Sequence, residues 1–229
     1  MKVKVIGAGG IGSALLATLP RFMRYRLPEV ELWIIDGDRY EERNAERQVF
    51  DEEGNKAEVT ARRIARDFPA LVVRAVPEYV TDDSAVRLIR EGDVVLAGVD
   101  NHKTRKILSD RVAELSSALV ISGGNELTTG GIQVYWRESG EDATLPLTNQ
   151  YHPEIAHPKD LLPTEHCTEQ AVVAPQLLPM NSMVAAVMMN AFYAWLKKKL
   201  DYDEVYIDIV TNMVRSVNRR EKTAAVLVA

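Results

Sequence analysis

The sequence predicts an α/β fold in which helices cover both faces of a mostly parallel sheet. Three observations predict it. Apolar strand-like runs alternate with helix-forming stretches over residues 1–122, which is typical of parallel strands joined by crossover helices. A glycine-rich turn follows the first run directly, at residues 7–12. Two adjacent runs near the C-terminus, 205–210 and 213–217, resemble a pair of antiparallel strands that extend the sheet.

The elements of the first half follow in order from these patterns. The predicted strands are short runs rich in valine and isoleucine, several of them bounded by glycine or aspartate. They span residues 2–7, 31–36, 71–76, 93–100 and 119–122. The stretches between them have helical spacing of apolar residues or many good helix formers. These predicted helices span residues 11–19, 47–66 with a break at Gly54, 84–90 and 103–116.

The second half has a different character. After a predicted strand at 131–136, residues 144–180 are rich in proline, have little periodicity and contain Cys167, which predicts a long loop or lid. An apolar helix is expected over 180–200, ending in three lysines. We therefore expect one domain over residues 1–229, with a nucleotide-binding half (1–143), the lid segment (144–180) and a C-terminal helix with strands (181–229).

Composition excludes several classes of protein. The chain has 28 lysine and arginine residues against 33 aspartate and glutamate residues, and its net charge of −5 without a basic block argues against nucleic acid as the partner. The single cysteine excludes an intramolecular disulfide and a zinc site built from paired cysteines. No apolar run reaches the roughly 18 residues of a membrane span, and the first run is too short for a signal peptide. We expect a cytoplasmic protein.

The glycine-rich turn predicts a phosphate site. Gly7, Gly9 and Gly12 form a G-x-G-x-x-G pattern after a strand and at the start of a helix, with Gly10 between them. Backbone N–H groups and the helix dipole can bind phosphate oxygens there. The alternative is that the glycines only permit a tight turn and close packing. Asp36, at the end of the second strand, is placed to bind ribose hydroxyls of either NAD or ATP.

A set of further residues distinguishes between these nucleotides. In order along the chain they are Asp36-x-Asp38, Asn44-x-x-Arg47-Gln48, Lys56 after Gly54, Asp100-Asn101 and the segment around Cys167. With this set the sequence resembles the ThiF/MoeB/HesA family, the adenylyltransferases that activate ubiquitin-like proteins and sulfur carriers, over nearly the whole chain. The resemblance implies a Rossmann-like three-layer fold and a homodimer. It also implies ATP-dependent adenylation of the C-terminal carboxylate of a small ubiquitin-like or sulfur-carrier protein, giving an acyl-adenylate and pyrophosphate.

The resemblance also implies roles for individual residues. Asp36 would hold the ribose, and Asn44, Arg47, Gln48 and Lys56 would contact the phosphates. Asp38 and Asn101 are further candidates for nucleotide binding, and Asp100 is the candidate Mg²⁺ ligand.

The chemistry supports these roles independently. A carboxylate attacking the α-phosphate of ATP brings two anions together, so the site needs Mg²⁺ and cations such as Arg47 and Lys56. A C-terminal carboxylate is already ionised near neutral pH, so no general base is required.

Simpler structural roles remain open for several of these residues. Arg47 and Lys56 could be solvated helix charges, and Asp100 could cap the following helix. Asp38 could organise its turn, and Arg105 could lie at the surface. Cys167 could form a covalent intermediate beside His166 or be inert.

The sequence departs from the family pattern in three ways. It lacks the two Cys-x-x-Cys pairs of many bacterial relatives, so we expect no structural zinc. It begins at the first strand, without the preceding helix whose arginine serves the neighbouring protomer. Gln170-Ala171 replaces a family glycine, which makes sulfur transfer or thioester formation less secure than adenylation. His152, His157 and His166 are spaced too irregularly for a metal site.

Two other functions remain as alternatives. An NAD(P)-dependent oxidoreductase would use the same glycine turn and Asp36 but leaves Arg47, Lys56 and Asp100 without a role. A catalytically inactive nucleotide-binding partner subunit is the other alternative, which the missing first helix favours and the retained charged residues oppose.

Overall fold

The computed structural model describes residues 1–42, 52–162, 164 and 176–220. The strands in this part of the chain are β1 (Val3–Ile6), β2 (Leu32–Ile35), β3 (Val73–Val76), β4 (Val94–Ala97), β5 (Ala118–Asn125), β6 (Thr129–Glu138), β7 (Glu141–Asp142), β8 (Glu204–Asp208) and β9 (Met213–Val217). The helices are α1 (Gly10–Arg26), α2 (Lys56–Asp67), α3 (Asp82–Leu88), α4 (His102–Ala113), α5 (Pro153–Ala156) and α6 (Leu178–Leu196).

The strands form one mixed sheet in the order β3-β2-β1-β4-β5-β6-β8-β9, with β7 paired to β6. The first five strands in this order run parallel to one another. Strands β6, β8 and β9 pair antiparallel and extend the sheet at one side. The predicted fold class is therefore confirmed, including the antiparallel C-terminal extension.

Helices pack on both faces of the sheet because successive strand side chains point to opposite sides. Val5 and its neighbours on one face pack against α1, α2 and α6 in a single apolar cluster. Ile6 and its neighbours on the other face pack against α3, α4 and α5. The result is three layers with two cores, which explains why the central strands are apolar on both faces.

Several element boundaries differ from the prediction. The predicted helix at 47–66 begins only at Lys56, because Asn55 caps it, and residues 43–51 lie outside the described residues. Helix α1 runs seven residues past its predicted end and includes Pro20. The lid segment holds the short helix α5, and α6 ends at Leu196, before the three lysines. None of the described helices is long and apolar enough to cross a membrane.

Candidate active site

A large cleft opens at the carboxyl ends of the parallel strands. Its volume is about 1500 Å³, and its described lining runs from the glycine turn and the start of α2 to strands β6 and β8. Open parallel sheets bind their ligands at this edge. The lining includes these predicted site residues: Gly7, Gly9, Gly10, Asp36, Asp38, Lys56, Asp100 and Asn101. The cleft therefore brings together the described part of the predicted site, apart from Gly12.

The glycine turn is built for a close backbone approach. Gly7 has a φ of +86°, which favours glycine. A Cβ atom on Gly12 would lie 1.8 Å from the Gly7 carbonyl oxygen, so α1 could not pack here with any side chain at that position. Helix α1 begins after Gly9 with no side-chain cap and no acidic residue in its first turn. Its N-terminal N–H groups and positive dipole end therefore suit an anion such as phosphate.

Asp36 ties the glycine turn to the segment that follows β2. Its side chain lies in the cleft wall, with only 8% of the residue exposed. Its carboxylate accepts hydrogen bonds from the backbone N–H groups of Ala8 at 2.6 Å and Asp38 at 2.8 Å. Burial raises the pKa of this carboxyl despite the nearby Lys56 ammonium. Each carboxylate oxygen can accept a further hydrogen bond, so this tether is compatible with ribose binding.

Asn55 holds the same segment from the other side, a role the sequence analysis missed. Its Nδ2 donates to the carbonyl oxygens of Asp36 at 2.9 Å and Asp38 at 3.0 Å. Its Oδ1 accepts from the N–H groups of Ala57 and Glu58 and caps α2. An asparagine just before a run of helix formers is an N-cap signature, and this signal could have identified it.

Lys56 is the first residue of α2 and is only 6% exposed, so it is not a solvated helix charge. Its Nζ lies 3.0 Å from Asp38 Oδ2. A cation at a helix N-terminus opposes the helix dipole. The pair with Asp38 compensates for this, and Lys56 lines the same cleft as the glycine turn. The second oxygen of Asp38 accepts a hydrogen bond from the Tyr79 hydroxyl, another contact that the sequence did not indicate.

Asp100 and Asn101 have different roles at the end of β4. Asn101 caps α4, with its Oδ1 accepting from the Thr104 N–H at 2.8 Å. The helix cap considered for Asp100 therefore belongs to its neighbour. Asp100 is exposed to the cleft, and no hydrogen bond or ion pair links its carboxylate to another described residue. An exposed carboxylate in this position suits Mg²⁺, which commonly takes one or two carboxylates together with phosphate oxygens.

Asp160 also caps α4, and the sequence analysis missed it. Its carboxylate accepts from the backbone N–H groups of His102 at 2.5 Å and Lys103 at 3.1 Å. This contact anchors the segment after α5 to the cleft.

Arg105 is partly buried and lines the cleft, so it is not a fully solvated surface residue. Its Nη2 donates to the carbonyl oxygens of Val99 at 3.0 Å and Gly123 at 3.2 Å. Burial lowers the pKa of its guanidinium, although Asp100 and Asp160 oppose that effect. Arg105 therefore joins the chain segments that follow β4 to the end of β5.

A network of charged side chains lies where β8 lines the cleft. The two ring nitrogens of His152 lie 2.9 Å from Glu154 and Glu204 carboxylate oxygens. The other oxygen of Glu204 accepts from the Tyr206 hydroxyl and from Arg219, both at 2.8 Å. Burial disfavours ionised Glu204, but the hydrogen bonds from its partners outweigh burial and lower its pKa to about 2. Burial also opposes protonation of His152, yet the two glutamates raise its pKa.

Within the described part of the chain, no three His, Cys, Asp or Glu side chains form a group that could hold a metal ion. Four predicted site residues, Asn44, Arg47, Gln48 and Cys167, lie outside the described residues.

The described lining of the cleft is strongly acidic. It contains three Lys and Arg residues, namely Arg39, Lys56 and Arg105. Its ten carboxylates belong to Asp36, Asp38, Glu41, Glu78, Asp100, Glu126, Glu154, Asp160, Glu204 and Asp208. A polyphosphate bound here would need further positive charge, and among these three cations Lys56 is held by its ion pair with Asp38.

Comparison with known proteins places the chain in context. The profile of the ThiF family matches residues 1–226. The sequence is 34% identical over 122 residues to a sulfur carrier protein adenylyltransferase of Thermus thermophilus, covering 52% of this chain and 43% of that protein. It is 28% identical to the probable adenylyltransferase/sulfurtransferase MoeZ of Mycobacterium tuberculosis, over 75% of this chain and 42% of that protein. The chain thus spans less than half the length of these relatives.

Solved structures share the fold. Escherichia coli MccB with ATP superimposes with a TM-score of 0.69 at 17% identity, covering 95% of this chain and 63% of that one. PaaA gives a TM-score of 0.68 at 16% identity with the same coverage. At these identities the likeness shows the fold alone.

Proposed function

This chain belongs to the ThiF family, and we propose that it is an ATP-dependent adenylyltransferase acting on the C-terminal carboxylate of a small ubiquitin-like or sulfur-carrier protein. The main support for the proposal is that the glycine turn, the buried Lys56 and the exposed Asp100 line the same cleft. The names of the relatives support it, since two of them are a sulfur carrier protein adenylyltransferase and the catalytic subunit of a NEDD8-activating enzyme.

The arrangement suggests how ATP would lie. The N-terminus of α1 would receive phosphate oxygens, and Asp36 would bind the ribose with its remaining acceptor capacity. Lys56 would contact the phosphates, together with Arg47, Asn44 and Gln48. Mg²⁺ on Asp100 would neutralise polyphosphate charge when bound.

The reaction would proceed by in-line displacement. A carboxylate oxygen of the substrate would attack the α-phosphorus, the bond to the bridging oxygen would break, and pyrophosphate would leave with the electron pair. No proton moves in this step, so the chain's task is to position the reactants and stabilise charge. Lys56 suits this task because Asp38 holds its ammonium in the cleft that the glycine turn also lines.

The remaining predictions concern features other than the geometry of the cleft. A covalent role for Cys167, the homodimer, the absence of structural zinc, the cytoplasmic location and the three-part division of the chain stay predictions. An oxidoreductase would leave the buried Lys56 and the exposed Asp100 without a function. An inactive partner subunit would have no need to retain them.

The first experiment measures the melting temperature of the chain with Mg·ATP, ATP plus chelator, NAD and NADP. A ligand at 100 times its dissociation constant adds about 2.7 kcal/mol to the free energy of unfolding, which is readily seen. We expect stabilisation by Mg·ATP, weaker stabilisation with chelator and none by the nicotinamide nucleotides. Stabilisation by NAD or NADP alone would contradict the proposal.

A further inference from the structure

Three side chains form a connected series between the end of β3 and the start of α2. The Tyr79 hydroxyl donates to Asp38 Oδ1, and Lys56 Nζ lies 3.0 Å from Asp38 Oδ2. Each oxygen of the Asp38 carboxylate therefore has its own partner. Because the two partners lie on either side of it, the carboxylate is held in one orientation.

The backbone makes room for this contact. A Cβ atom on Gly37 would lie 2.6 Å from the Tyr79 ring, a distance that side chains cannot tolerate. Gly37 is not among the glycines with positive φ, so its backbone conformation does not explain why glycine is needed there. The close approach of the aromatic ring does explain it.

Asp38 needs such support. Its side chain is 48% exposed, whereas that of Lys56 is 8% exposed. A half-exposed carboxylate fixed by one ion pair alone is free to rotate, and exposed ion pairs are weak for this reason. The Tyr79 hydroxyl removes that freedom. Burial and the neighbouring carboxylates raise the pKa of Tyr79 well above its usual value, so the hydroxyl keeps its proton and remains a donor.

We propose that Tyr79 is a positioning residue for nucleotide binding, which fixes Asp38 and through it holds the Lys56 ammonium at the phosphate end of the cleft. The inference rests on the proposed function, because it gives Tyr79 a role in the same site. An ammonium has three N–H donors. One can point at Asp38 while the others remain available to phosphate oxygens, so Asp38 need not be displaced when the nucleotide binds.

The test is a double-mutant cycle on the full chain, with binding of Mg²⁺ and the α,β-methylene analogue of ATP measured by calorimetry. Tyr79→Phe keeps the ring over Gly37 and removes only the hydroxyl. We expect it to weaken binding about fivefold, the equivalent of one ordinary hydrogen bond. Lys56→Ala should weaken binding about 10- to 100-fold, as expected for a charge-assisted contact. In the double variant the loss should equal that of Lys56→Ala alone, because Tyr79 acts through the lysine.

Tyr135→Phe is the matched control. It removes another tyrosine hydroxyl that donates to an aspartate, Asp142, at 2.9 Å, and neither residue lines the cleft. It should bind the analogue as the wild type does. A merely structural role for Tyr79 would lower the melting temperature of Tyr79→Phe without changing its affinity for the analogue.

A second readout needs no nucleotide. The rate at which an acetylating reagent modifies Lys56 in the free protein, followed by peptide mass spectrometry, should rise in Tyr79→Phe and in Asp38→Asn. Unchanged affinity and unchanged acetylation in Tyr79→Phe, or additive losses in the cycle, would overturn the inference and leave the proposed function standing. Failure of the wild type to bind the analogue would overturn the proposed function, whatever the acetylation rates show.

Discussion

Two buried lysines, each paired with an aspartate, lie at opposite ends of the parallel sheet. Lys4 on β1 pairs with Asp93, which directly precedes β4 near the amino ends of the strands. Lys56 pairs with Asp38 at the carboxyl ends, in the cleft. The pairs share their chemistry but differ in their surroundings. The side chains of the first pair are 2% and 5% exposed, whereas those of the second are 8% and 48% exposed.

The Lys4–Asp93 pair at the amino ends of the strands is shielded from solvent. The Lys4 ammonium also donates to the carbonyl oxygen of Leu88, and Asp93 accepts from the Arg90 N–H at 2.9 Å. Burial lowers the pKa of Lys4, although the bond to Asp93 opposes this effect. All of these partners are groups of the chain itself, so the pair links β1 to the segments around α3 and β4.

In the Lys56–Asp38 pair of the cleft, the aspartate side chain is half-exposed to solvent. Both lysines are buried, so burial of a lysine does not separate a structural ion pair from one that can bind a ligand. The exposure of the partner does separate them, because a half-exposed carboxylate leaves space beside the ammonium for an incoming anion. The comparison predicts opposite consequences for the two pairs when they are broken.

Lys4→Ala should have the largest effect, on stability alone. It leaves Asp93 buried without its cation, and breaking a buried pair in this way costs about 3–5 kcal/mol. Urea unfolding should show this loss, while the surviving folded protein should bind Mg²⁺ and the ATP analogue normally. Lys2→Ala is the control, since Lys2 is 42% exposed and its pair with Glu31 spans 3.6 Å. That variant should lose less than about 1 kcal/mol. Equal losses in the two variants would break the comparison.

Lys56→Ala should have the reverse profile. The affinity for Mg²⁺ and the analogue should fall about 10- to 100-fold, and release of pyrophosphate with a carrier protein should fall with it. The free energy of unfolding should change by less than about 1 kcal/mol, because solvent can hydrate the half-exposed Asp38. A large loss of stability with normal affinity would make this pair structural, like that of Lys4.

The same comparison shows what the sequence could predict. The order of strands and helices follows from alternating apolar runs, and the glycine turn, Asp36 and Asp100 follow from their position after those runs. Lys56 was found through a family pattern, since a lysine in a helix-forming stretch is ordinarily solvated. Lys4 was not found, because a single lysine within an apolar run gives no sign of whether its amine is enclosed.

The residues that sequence analysis missed act through distant partners. Tyr79 lies 41 residues from Asp38, and Asp160 lies 58 from the His102 N–H that it binds. Their contacts arise only when the sheet brings strand ends together. Asn55 differs, because its cap on α2 is local and its signature was present in the sequence.

Asp160→Ala tests whether a cleft carboxylate that bonds to backbone N–H groups, and not to a lysine, also stabilises the fold. Its bonds to the first N–H groups of α4 resemble a helix cap, so we expect a loss of about 1 kcal/mol in urea unfolding. Asp110→Ala, on the exposed face of α4 in a pair with Lys106, is the control and should lose about 0.3–0.5 kcal/mol. A loss no larger than that of the control would show that Asp160 contributes only surface charge.

The smallest effect is expected from His152, which lies in the cleft between a half-exposed partner, Glu154, and a buried one, Glu204. Glutamates raise the His152 pKa above its usual 6.5 in the folded state. Its contribution to stability is therefore complete below pH 6.5 and is lost as the pH rises through the folded value. Glu204 stays ionised throughout this range because its pKa is about 2. As the pH rises above 6.5, the urea midpoint of the wild type should fall more steeply than that of His152→Gln, with His157→Gln as the exposed control. Because burial of His152 cancels part of the rise in its pKa, the difference in slope should be modest. Parallel curves for the wild type and His152→Gln would show that the glutamates do not stabilise the protonated ring.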